Sequence, residues 1–212
     1  MSKEFTIKTI IIGDTYGGKT SILNRYVTKH FNNLFMATIG VDFYKSLIVK
    51  NKNNYKFTIW DTSGQEKFNS IISSYYRDVG VIIIVFDLTN YNSFLNLRNW
   101  LETIEMYETN NLIKIIVGNK CDLEKERKVE FNEAMDFCKK NKINYIETSA
   151  KENINIDKIF NKVVDIIDNR ILNDKPLNKH IKIINNFDII DEIENNTIKN
   201  RNKKNPNCCT II

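Results

Sequence analysis

The sequence predicts an α/β fold: a six-stranded, mostly parallel sheet with one antiparallel strand and helices on both faces. Short runs rich in β-branched and aromatic residues alternate with longer stretches whose apolar residues recur at helical spacing. Such alternation favours a parallel sheet covered by helices. Two of the runs are separated only by the polar stretch 50–54, which suits a hairpin and supplies the antiparallel strand.

The elements follow from these patterns in chain order. Strands are predicted over residues 6–12, 43–49, 56–60, 81–87, 114–117 and 144–147. Helical spacing marks four further segments, around Ile22 and Tyr26, from Phe94 to Tyr107, around Ala134, and from Ile156 to Ile171. In an open sheet of this kind, ligands bind at the carboxyl ends of the strands.

Length and composition indicate one globular domain with an extension. The chain has 212 residues, of which 42% are hydrophobic and 27% charged, with a net charge of +5. The start MSKEFTIK lacks an apolar signal-peptide core, and the longest apolar run, 81–86, is too short to cross a bilayer. The four cysteines have no disulfide-framework spacing, so we expect a reducing, cytosolic environment.

The composition changes after Leu172, where asparagine and lysine become frequent. We therefore predict a globular domain over 1–172 and a flexible tail over 173–212. Within this tail, Ile183, Ile184, Phe187, Ile190 and Ile193 have helix-like spacing. That spacing is open to two interpretations: chance in an Asn- and Ile-rich segment, or a helix that binds a partner or a membrane surface.

The stretch GDTYGGKT, residues 13–20, matches G-x-x-x-x-G-K-[ST] between a predicted strand and a predicted helix. Successive backbone N–H groups and the helix dipole would hold phosphate. Lys19 would neutralise the β- and γ-phosphates, and the Thr20 hydroxyl would bind Mg²⁺. The alternative is a strand–helix turn with an incidental lysine. Because Tyr16 is bulky, we expect Gly17 to take the most demanding dihedral and the Tyr16 ring to turn outward.

The stretch IWDTSGQE ends the third predicted strand. Asp61 would hold Mg²⁺ through water, and the backbone N–H of Gly64 would reach a γ-phosphate because no side chain blocks the approach. Gln65 would orient an attacking water. An aspartate at a strand end is often only a turn residue, but its place after the phosphate motif favours the functional interpretation.

Two later motifs, NKCD and ETSAK, indicate a guanine site. The carboxylate of Asp122 offers two acceptors to the two donors of the guanine edge, and adenine would leave a buried group unpaired. Asn119 would tie the base loop to the phosphate loop, and the Lys120 stem would cover the base. Ala150 would donate its N–H to the guanine oxygen, and Lys151 would cover the other face. Each motif follows a predicted strand, so all would meet at one edge of the sheet.

These residues carry a resemblance. GDTYGGKT, Thr38, WDTSGQE, NKCD and ETSAK are similar to the Ras-type small GTPases, which implies a Ras-like P-loop GTPase fold over about residues 8–171. TIGVDF, the tryptophan of IWDTSGQE, SYYRD and the paired terminal cysteines resemble the Rab family of membrane-traffic switches. ATIGVDF, NWLETIEMYETNN and NEAMDFCKK are most similar to the Rab branch of the endoplasmic reticulum and lipid droplets.

The resemblance implies further roles. Phe31 should stack on guanine, and Thr38 should reach Mg²⁺ and γ-phosphate only in the GTP state, within switches at 35–43 and 63–77 that the γ-phosphate orders. The implied nucleotide contacts are Gly13, Thr15, Gly17, Gly18, Lys19, Thr20, Ser21, Phe31, Thr38, Gly64, Asn119, Lys120, Asp122, Ser149, Ala150 and Lys151, with Thr20, Thr38 and Asp61 at Mg²⁺. The implied effector surface comprises Ile39, Val41, Phe43, Trp60, Phe68 and Tyr75, for which the alternative is plain core packing.

The expected function is a switch that binds GTP or GDP and hydrolyses GTP slowly. Tyr16, Gly17 and Ser63 depart from the family pattern, in which a small residue, valine and alanine are usual. Tyr16 and Ser63 motivate an alternative, a non-hydrolysing nucleotide-binding module that recruits partners in one fixed state. A nucleic-acid-binding GTPase has only the net charge in its favour, and the terminal cysteines argue against it.

The terminus NPNCCTII places Cys208 and Cys209 in a setting that resembles a prenylation site. Two lipid chains, one on each cysteine, would anchor the protein stably. The basic residues between Lys199 and Lys204 would add attraction to an anionic leaflet. The expected location is the cytoplasmic face of an intracellular membrane, in the endoplasmic reticulum, Golgi or vesicles, with a cytosolic pool. The implied partners are an exchange factor, a GTPase-activating protein, effectors, a GDP-dissociation inhibitor and the prenylation machinery.

Overall fold

The structure, a computed structural model, describes residues 2–32, 41–62, 76–107 and 110–185. Its strands are β1 (Lys3–Ile12), β2 (Val41–Lys50), β3 (Asn53–Thr62), β4 (Val81–Asp87), β5 (Ile113–Asn119), β6 (Asn144–Thr148) and β7 (Ile181–Asn185). Its helices are α1 (Lys19–Thr28), α2 (Tyr91–Leu95), α3 (Leu97–Tyr107), α4 (Phe131–Lys140) and α5 (Ile156–Leu172), with a short 3₁₀ turn over Glu124–Glu126.

The sheet has the order β2-β3-β1-β4-β5-β6. β1 pairs in parallel with β3 and β4, and β5 pairs in parallel with β4 and β6, whereas β2 is antiparallel to β3. The predicted fold class is confirmed for these strands: a mostly parallel sheet with one antiparallel member. The antiparallel strand arises from a two-residue turn in which Asn51 and Lys52 both have positive φ, 51° and 65°, the pattern of a type I′ hairpin.

Two apolar clusters cover the two faces of the sheet. Alternate residues of β1 separate them: Ile7 and Ile11 face α1 and α5, whereas Ile10 and Ile12 face α2, α3 and α4. Every residue of β4 is buried, as expected for a parallel strand covered on both sides. This packing fixes the carboxyl ends of β1, β4, β5 and β6 along one edge, where the predicted motifs lie.

The seventh strand was not predicted. β7 runs antiparallel to β1, with Ile181 beside Ile7 and Asn185 beside Lys3, and it occupies the part of β1 that β4 does not reach. Ile181 is 5% exposed and belongs to the core, and a side chain at Gly80 would lie 2.8 Å from its Cγ1. Burial of this isoleucine therefore favours the strand.

The expectation of a flexible tail from Asn173 is wrong for β7. Ile183 and Ile184 belong to this strand and not to a helix. Their helix-like spacing with Phe187, Ile190 and Ile193 cannot be followed further, because residues 186–212 lie outside the described part. Among the residues that the structure describes, no helix is long and apolar enough to cross a membrane.

Candidate nucleotide-binding site

The loop between β1 and α1 has the backbone of a phosphate cradle. Gly13 and Gly18 have φ of 132° and 90°, which L-residues rarely adopt. A Cβ on Gly13 would lie 2.0 Å from the carbonyl oxygen of Val85, and one on Gly18 would lie 2.2 Å from the Asn119 amide nitrogen. Glycine is therefore required at both positions by dihedral and by space.

Lys19 crosses this loop from the start of α1. Its Nζ donates to the carbonyl oxygens of Gly13 at 2.7 Å and Asp14 at 3.0 Å, and the residue is only 5% exposed. A buried ammonium must be hydrogen-bonded, and here the loop backbone supplies acceptors. The charge is thus held directly over the loop that the motif assigns to phosphate.

Tyr16 has the dihedral that was predicted for Gly17. Its φ is 69°, whereas Gly17 is not among the residues with positive φ. The reason is a turn: the Gly17 N–H donates to the Asp14 carbonyl at 3.2 Å, so Tyr16 is the third residue of a four-residue turn. In a type II turn that position requires positive φ. The expectation for Gly17 is wrong, while the Tyr16 ring, 64% exposed, does turn outward.

Thr20 and Asp61 form a pair of neighbouring oxygens that could bind a metal. The Thr20 hydroxyl donates to Asp61 Oδ2 at 2.5 Å, and the carboxylate is fully buried. Burial raises the pKa of Asp61 to about 6, although the Thr20 hydrogen bond and the charge of Lys19 act to lower it. Asp61 Oδ1 has no hydrogen-bond partner in the described part of the chain. An oxygen-rich position short of positive charge fits Mg²⁺.

The described residues hold no cluster of three or more acidic, histidine or cysteine side chains. A cation at Thr20 and Asp61 would therefore complete its shell with water, phosphate or residues outside these ranges. Mg²⁺ commonly binds in this way, with one or two protein ligands and substrate phosphates. The donor set thus fits a cation that arrives with a nucleotide.

Asn119 connects the phosphate loop to the predicted base loop. It is 1% exposed at the end of β5, and its amide donates to the Gly17 carbonyl at 3.0 Å. Its Oδ1 accepts from the Thr148 hydroxyl at 3.2 Å and from the Ala150 N–H at 3.3 Å. The predicted tie between the two loops is present. The Ala150 N–H, predicted to reach guanine, here points to Asn119.

Lys120 and Asp122 follow Asn119 at this edge. The Lys120 ammonium lies 2.5 Å from Asp87 Oδ2, and Asp87 ends β4 with 6% exposure. This pair holds the lysine stem in place, and Asp87 also accepts two hydrogen bonds from Thr89, both at 2.8 Å. Asp122 is half-buried, and no hydrogen bond to its carboxylate occurs within the described residues. Its acceptors are therefore available to a base.

Arg25 of α1 was not predicted to belong to the site. Its guanidinium donates to the carbonyl oxygens of Ala150 and Lys151, both at 2.8 Å. It also lies 5.8 Å from the ring centroid of Phe31, the residue expected to stack on guanine. Arg25 thus connects α1, the base loop and Phe31. Its contacts are mostly with backbone, so no sequence motif could have indicated them.

Asp87 and Asp14 were missed as well. Asp87 follows the apolar run of β4, so the argument applied to Asp61, a carboxylate at a strand end, could have found it. Asp14 lies inside the phosphate motif at a position where the motif accepts any residue.

The remaining predicted nucleotide residues lie along the same edge. Thr15 belongs to the phosphate loop, and Ser21 belongs to the first turn of α1. Ser149 precedes Ala150, and its hydroxyl accepts from the Glu152 N–H at 2.9 Å. Lys151 is exposed. All four therefore flank the loops that Asn119 and Arg25 connect.

Part of the predicted effector surface is described. Phe43 and Trp60 are cross-strand partners on β2 and β3, with ring centroids 5.4 Å apart in an edge-to-face arrangement. Phe43 is 48% exposed, so it is not plain core. Val41 begins β2, but its side chain is not described. Outside the described residues lie Thr38, Ile39, Gly64, Gln65, Phe68, Tyr75, Cys208 and Cys209.

Comparisons with known proteins show which family this chain is similar to. The family model described as the Ras family matches residues 8–169. The Ras-related protein Rab-1A of Dictyostelium discoideum is 40% identical over 172 residues, which cover 81% of this chain and 85% of the relative. Rab-3C of Bos taurus is 39% identical over 164 residues, covering 77% and 72%. The GTP-binding protein YPT1 of Saccharomyces cerevisiae is 40% identical over 157 residues, covering 74% and 76%.

Proposed function

The chain belongs to the Ras family, among Rab and Ypt relatives, and on this premise we propose how its own residues operate the nucleotide switch. As a Rab-like small GTPase, it binds GTP or GDP with Mg²⁺, hydrolyses GTP to GDP and acts in vesicle traffic. Family membership thus decides against the alternative of a non-hydrolysing module. The division of roles among residues is the proposal.

The observation that supports the proposal most is the junction at Asn119. One buried side chain bonds both the phosphate loop at Gly17 and the base loop at Ala150. A nucleotide has a phosphate end and a base end, so a site for it needs two loops at a fixed separation. The motifs GDTYGGKT, NKCD and ETSAK lie at one sheet edge, and the Asn119 side chain is hydrogen-bonded to residues of the first and the last.

The phosphate end is assigned to the loop from Gly13 to Ser21. Backbone N–H groups bind the phosphates, and Lys19 exchanges its carbonyl partners for β- and γ-phosphate oxygens. Thr20, Asp61 and Thr38 would hold Mg²⁺, which would supply positive charge to neutralise the phosphates. The unpartnered Oδ1 of Asp61 supports the assignment of this residue.

The base end is assigned to Asp122, with Asn119, Lys120, Ser149, Ala150, Lys151 and Phe31 around it. Asp122 accepts the two donors of guanine, and Phe31 stacks on the base. Arg25 supports this end by holding the carbonyls of Ala150 and Lys151. Asp87 positions the Lys120 stem, so that the lysine covers the base without moving into the phosphate end.

Hydrolysis is assigned to Gln65, which orients the attacking water, and to the Gly64 N–H, which binds the γ-phosphate. Catalysis is then positioning and charge stabilisation. Arg77 follows Gln65 too far along the chain to be assigned to the γ-phosphate, so we propose that a partner supplies an arginine. A GTPase-activating protein is the partner that would supply it.

We further assign membrane attachment to lipid chains on Cys208 and Cys209 and effector binding to the surface around Phe43 and Trp60. The family implies regulators and effectors in general. The exchange factor, GDP-dissociation inhibitor and prenylation machinery are proposed from the resemblance. The endoplasmic reticulum, Golgi or vesicle membrane, and the branch of the endoplasmic reticulum and lipid droplets, are proposed on the same basis.

Single-turnover hydrolysis of GTP tests the assignment of Gln65. Gln65→Leu should slow hydrolysis by about tenfold or more, a barrier increase of at least ~1.4 kcal/mol, without changing GTP affinity. Ser63→Ala, which restores the residue usual in the family, is the control and should keep the parent rate or raise it. Equal rates for Gln65→Leu and the parent would remove Gln65 from the mechanism.

A further inference from the structure

Asp14 places a carboxylate inside a loop that is assigned to phosphate. A carboxylate close to a bound phosphate would repel it, because both groups are negative. The Asp14 carboxylate therefore has to be held away from the phosphate. Its main chain belongs to the cradle, since its carbonyl accepts from Gly17 and Lys19. Its side chain has other partners: Oδ1 accepts from Trp100 Nε1 at 2.8 Å, and Oδ2 accepts from Asn96 Nδ2 at 2.7 Å.

The two donors are held by α3. Asn96 immediately precedes this helix, and the Trp100 N–H donates to the Asn96 carbonyl at 3.1 Å, so their side chains lie on one face a turn apart. Trp100 is 8% exposed and packs in the core together with Leu97 and Ile104. The donors therefore have fixed positions before any ligand binds.

The loop that Asp14 belongs to is strained. Tyr16 is held at φ 69° within the turn that Asp14 begins. A bulky residue in this region persists only when the surroundings enforce it. Asp14 is the first residue of the turn, and its side chain is hydrogen-bonded to Trp100 of the packed helix α3 and to Asn96 just before it. These hydrogen bonds can therefore hold the turn in its strained conformation.

We propose that Asp14 is a positioning residue, and that Asn96 and Trp100 form with it a clamp that holds the phosphate loop in its nucleotide-binding conformation. This inference rests on the proposed role of the loop in binding phosphate. Both carboxylate oxygens receive an N–H donor, which offsets the negative charge and holds it away from the cradle. The clamp slows nucleotide release by keeping the loop preorganised.

Loss of preorganisation appears mainly in the dissociation rate. Removing one hydrogen bond to a charged group should speed GDP release by about tenfold, which corresponds to ~1.4 kcal/mol. The hydrolysis step should change less, because Gln65 and Gly64 do not belong to the clamp.

A double-mutant cycle tests the clamp. Release of a fluorescent GDP analogue, at fixed Mg²⁺, is compared for the parent, Trp100→Phe, Asp14→Ala and the double variant. Trp100→Phe keeps an aromatic ring in the core and removes the N–H donor together with part of the indole, so only the part of its effect that disappears in the Asp14→Ala background is assigned to the hydrogen bond. Trp100→Phe, which removes one hydrogen bond to Asp14, should release GDP about tenfold faster, and Asp14→Ala, which removes both, should release it at least as fast as Trp100→Phe. The double variant should be no faster than Asp14→Ala, because the Trp100 hydrogen bond is already absent there. Additive effects, or an unchanged rate in Trp100→Phe, would overturn the clamp.

Asp14→Asn is the conservative control. Asparagine keeps an oxygen for Trp100, and the Asn96 amide can turn to offer its own oxygen to the new amide. Release should therefore stay near the parent rate, and a rate as fast as that of Asp14→Ala would contradict the mechanism. If the parent does not bind the GDP analogue, the proposed function fails together with the clamp. If the parent binds it and the variants release it at the parent rate, only the clamp is wrong.

Discussion

Tyr16 provides a quantitative test of the phosphate-loop geometry. Its φ of 69° lies in the left-handed region, where an L-residue with a side chain costs about 1–2 kcal/mol relative to the right-handed region. Alanine retains this strain and removes only the exposed ring, whereas glycine removes the strain. The informative comparison is therefore between Tyr16→Ala and Tyr16→Gly.

The result to measure is the sign of the difference in the free energy of unfolding between Tyr16→Gly and Tyr16→Ala. At an ordinary position glycine is less stable than alanine by roughly 0.5–1 kcal/mol, because it loses more backbone entropy on folding. At position 16 the relief of ~1–2 kcal/mol exceeds this loss, so Tyr16→Gly should be more stable than Tyr16→Ala by about 0.5–1 kcal/mol. Thr15 precedes Tyr16 and has no positive φ, so the same pair there should keep the ordinary order.

Urea unfolding of the four variants, at fixed excess GDP and Mg²⁺, gives these free energies. GDP dissociation constants measured in parallel allow the contribution of ligand binding to be subtracted. If alanine is more stable than glycine at position 16, by the margin found at Thr15, then Tyr16 is not strained. The turn from Asp14 to Gly17 would then impose no strained dihedral on Tyr16, contrary to the expected result.

Two further predictions concern the ends of the chain. Ile181→Ala should destabilise the domain by about 2–4 kcal/mol, because this side chain of β7 is 5% exposed, whereas Ile183→Ala, 43% exposed on the same strand, should cost under ~1 kcal/mol; equal losses in urea unfolding would exclude β7 from the core. Replacing Cys208 and Cys209 by serine should move the protein from membranes to the cytosol, and replacing one should leave partial binding. Membrane fractionation measures this, and a membrane-bound double variant would place the anchor elsewhere.

Local patterns in the sequence predicted much of the fold. The apolar run of β4 and the helical spacing of apolar residues in α5 were sufficient to predict these two elements, because the sequence of each identifies its buried positions. β7 was missed because its partner, the start of β1, is remote in the chain. Ile181, Ile183 and Ile184 fit a helix or a strand equally well, and only pairing with Lys3–Ile7 decides between them. Pairing with β7 from Lys3 and with β3 from Glu4 accounts for the start of β1 at Lys3, earlier than predicted.

Only some residues of the candidate site could likewise be predicted from the sequence. The motifs placed Lys19, Asp61, Asn119 and Asp122 at one edge, since each follows a predicted strand and parallel strands end together. Arg25 could not be predicted, because it acts on the backbone carbonyls of a loop more than a hundred residues away. The dihedral at Tyr16 was assigned to the wrong residue because glycine was assumed to take any positive φ nearby. The Asp14–Gly17 turn, which decides the matter, is visible only in three dimensions.

Above all, we propose that Asp122 makes the site specific for guanine. Competition of GTP and xanthosine triphosphate against a fluorescent GDP analogue tests it most directly, in the parent and in Asp122→Asn. The amide offers a donor where xanthine has a carbonyl, so the ratio of the two affinities should shift toward xanthosine triphosphate by at least about a hundredfold. Asp136→Asn, the same change at an exposed position on α4, should leave the ratio unchanged. An unchanged guanine preference in Asp122→Asn would contradict the account.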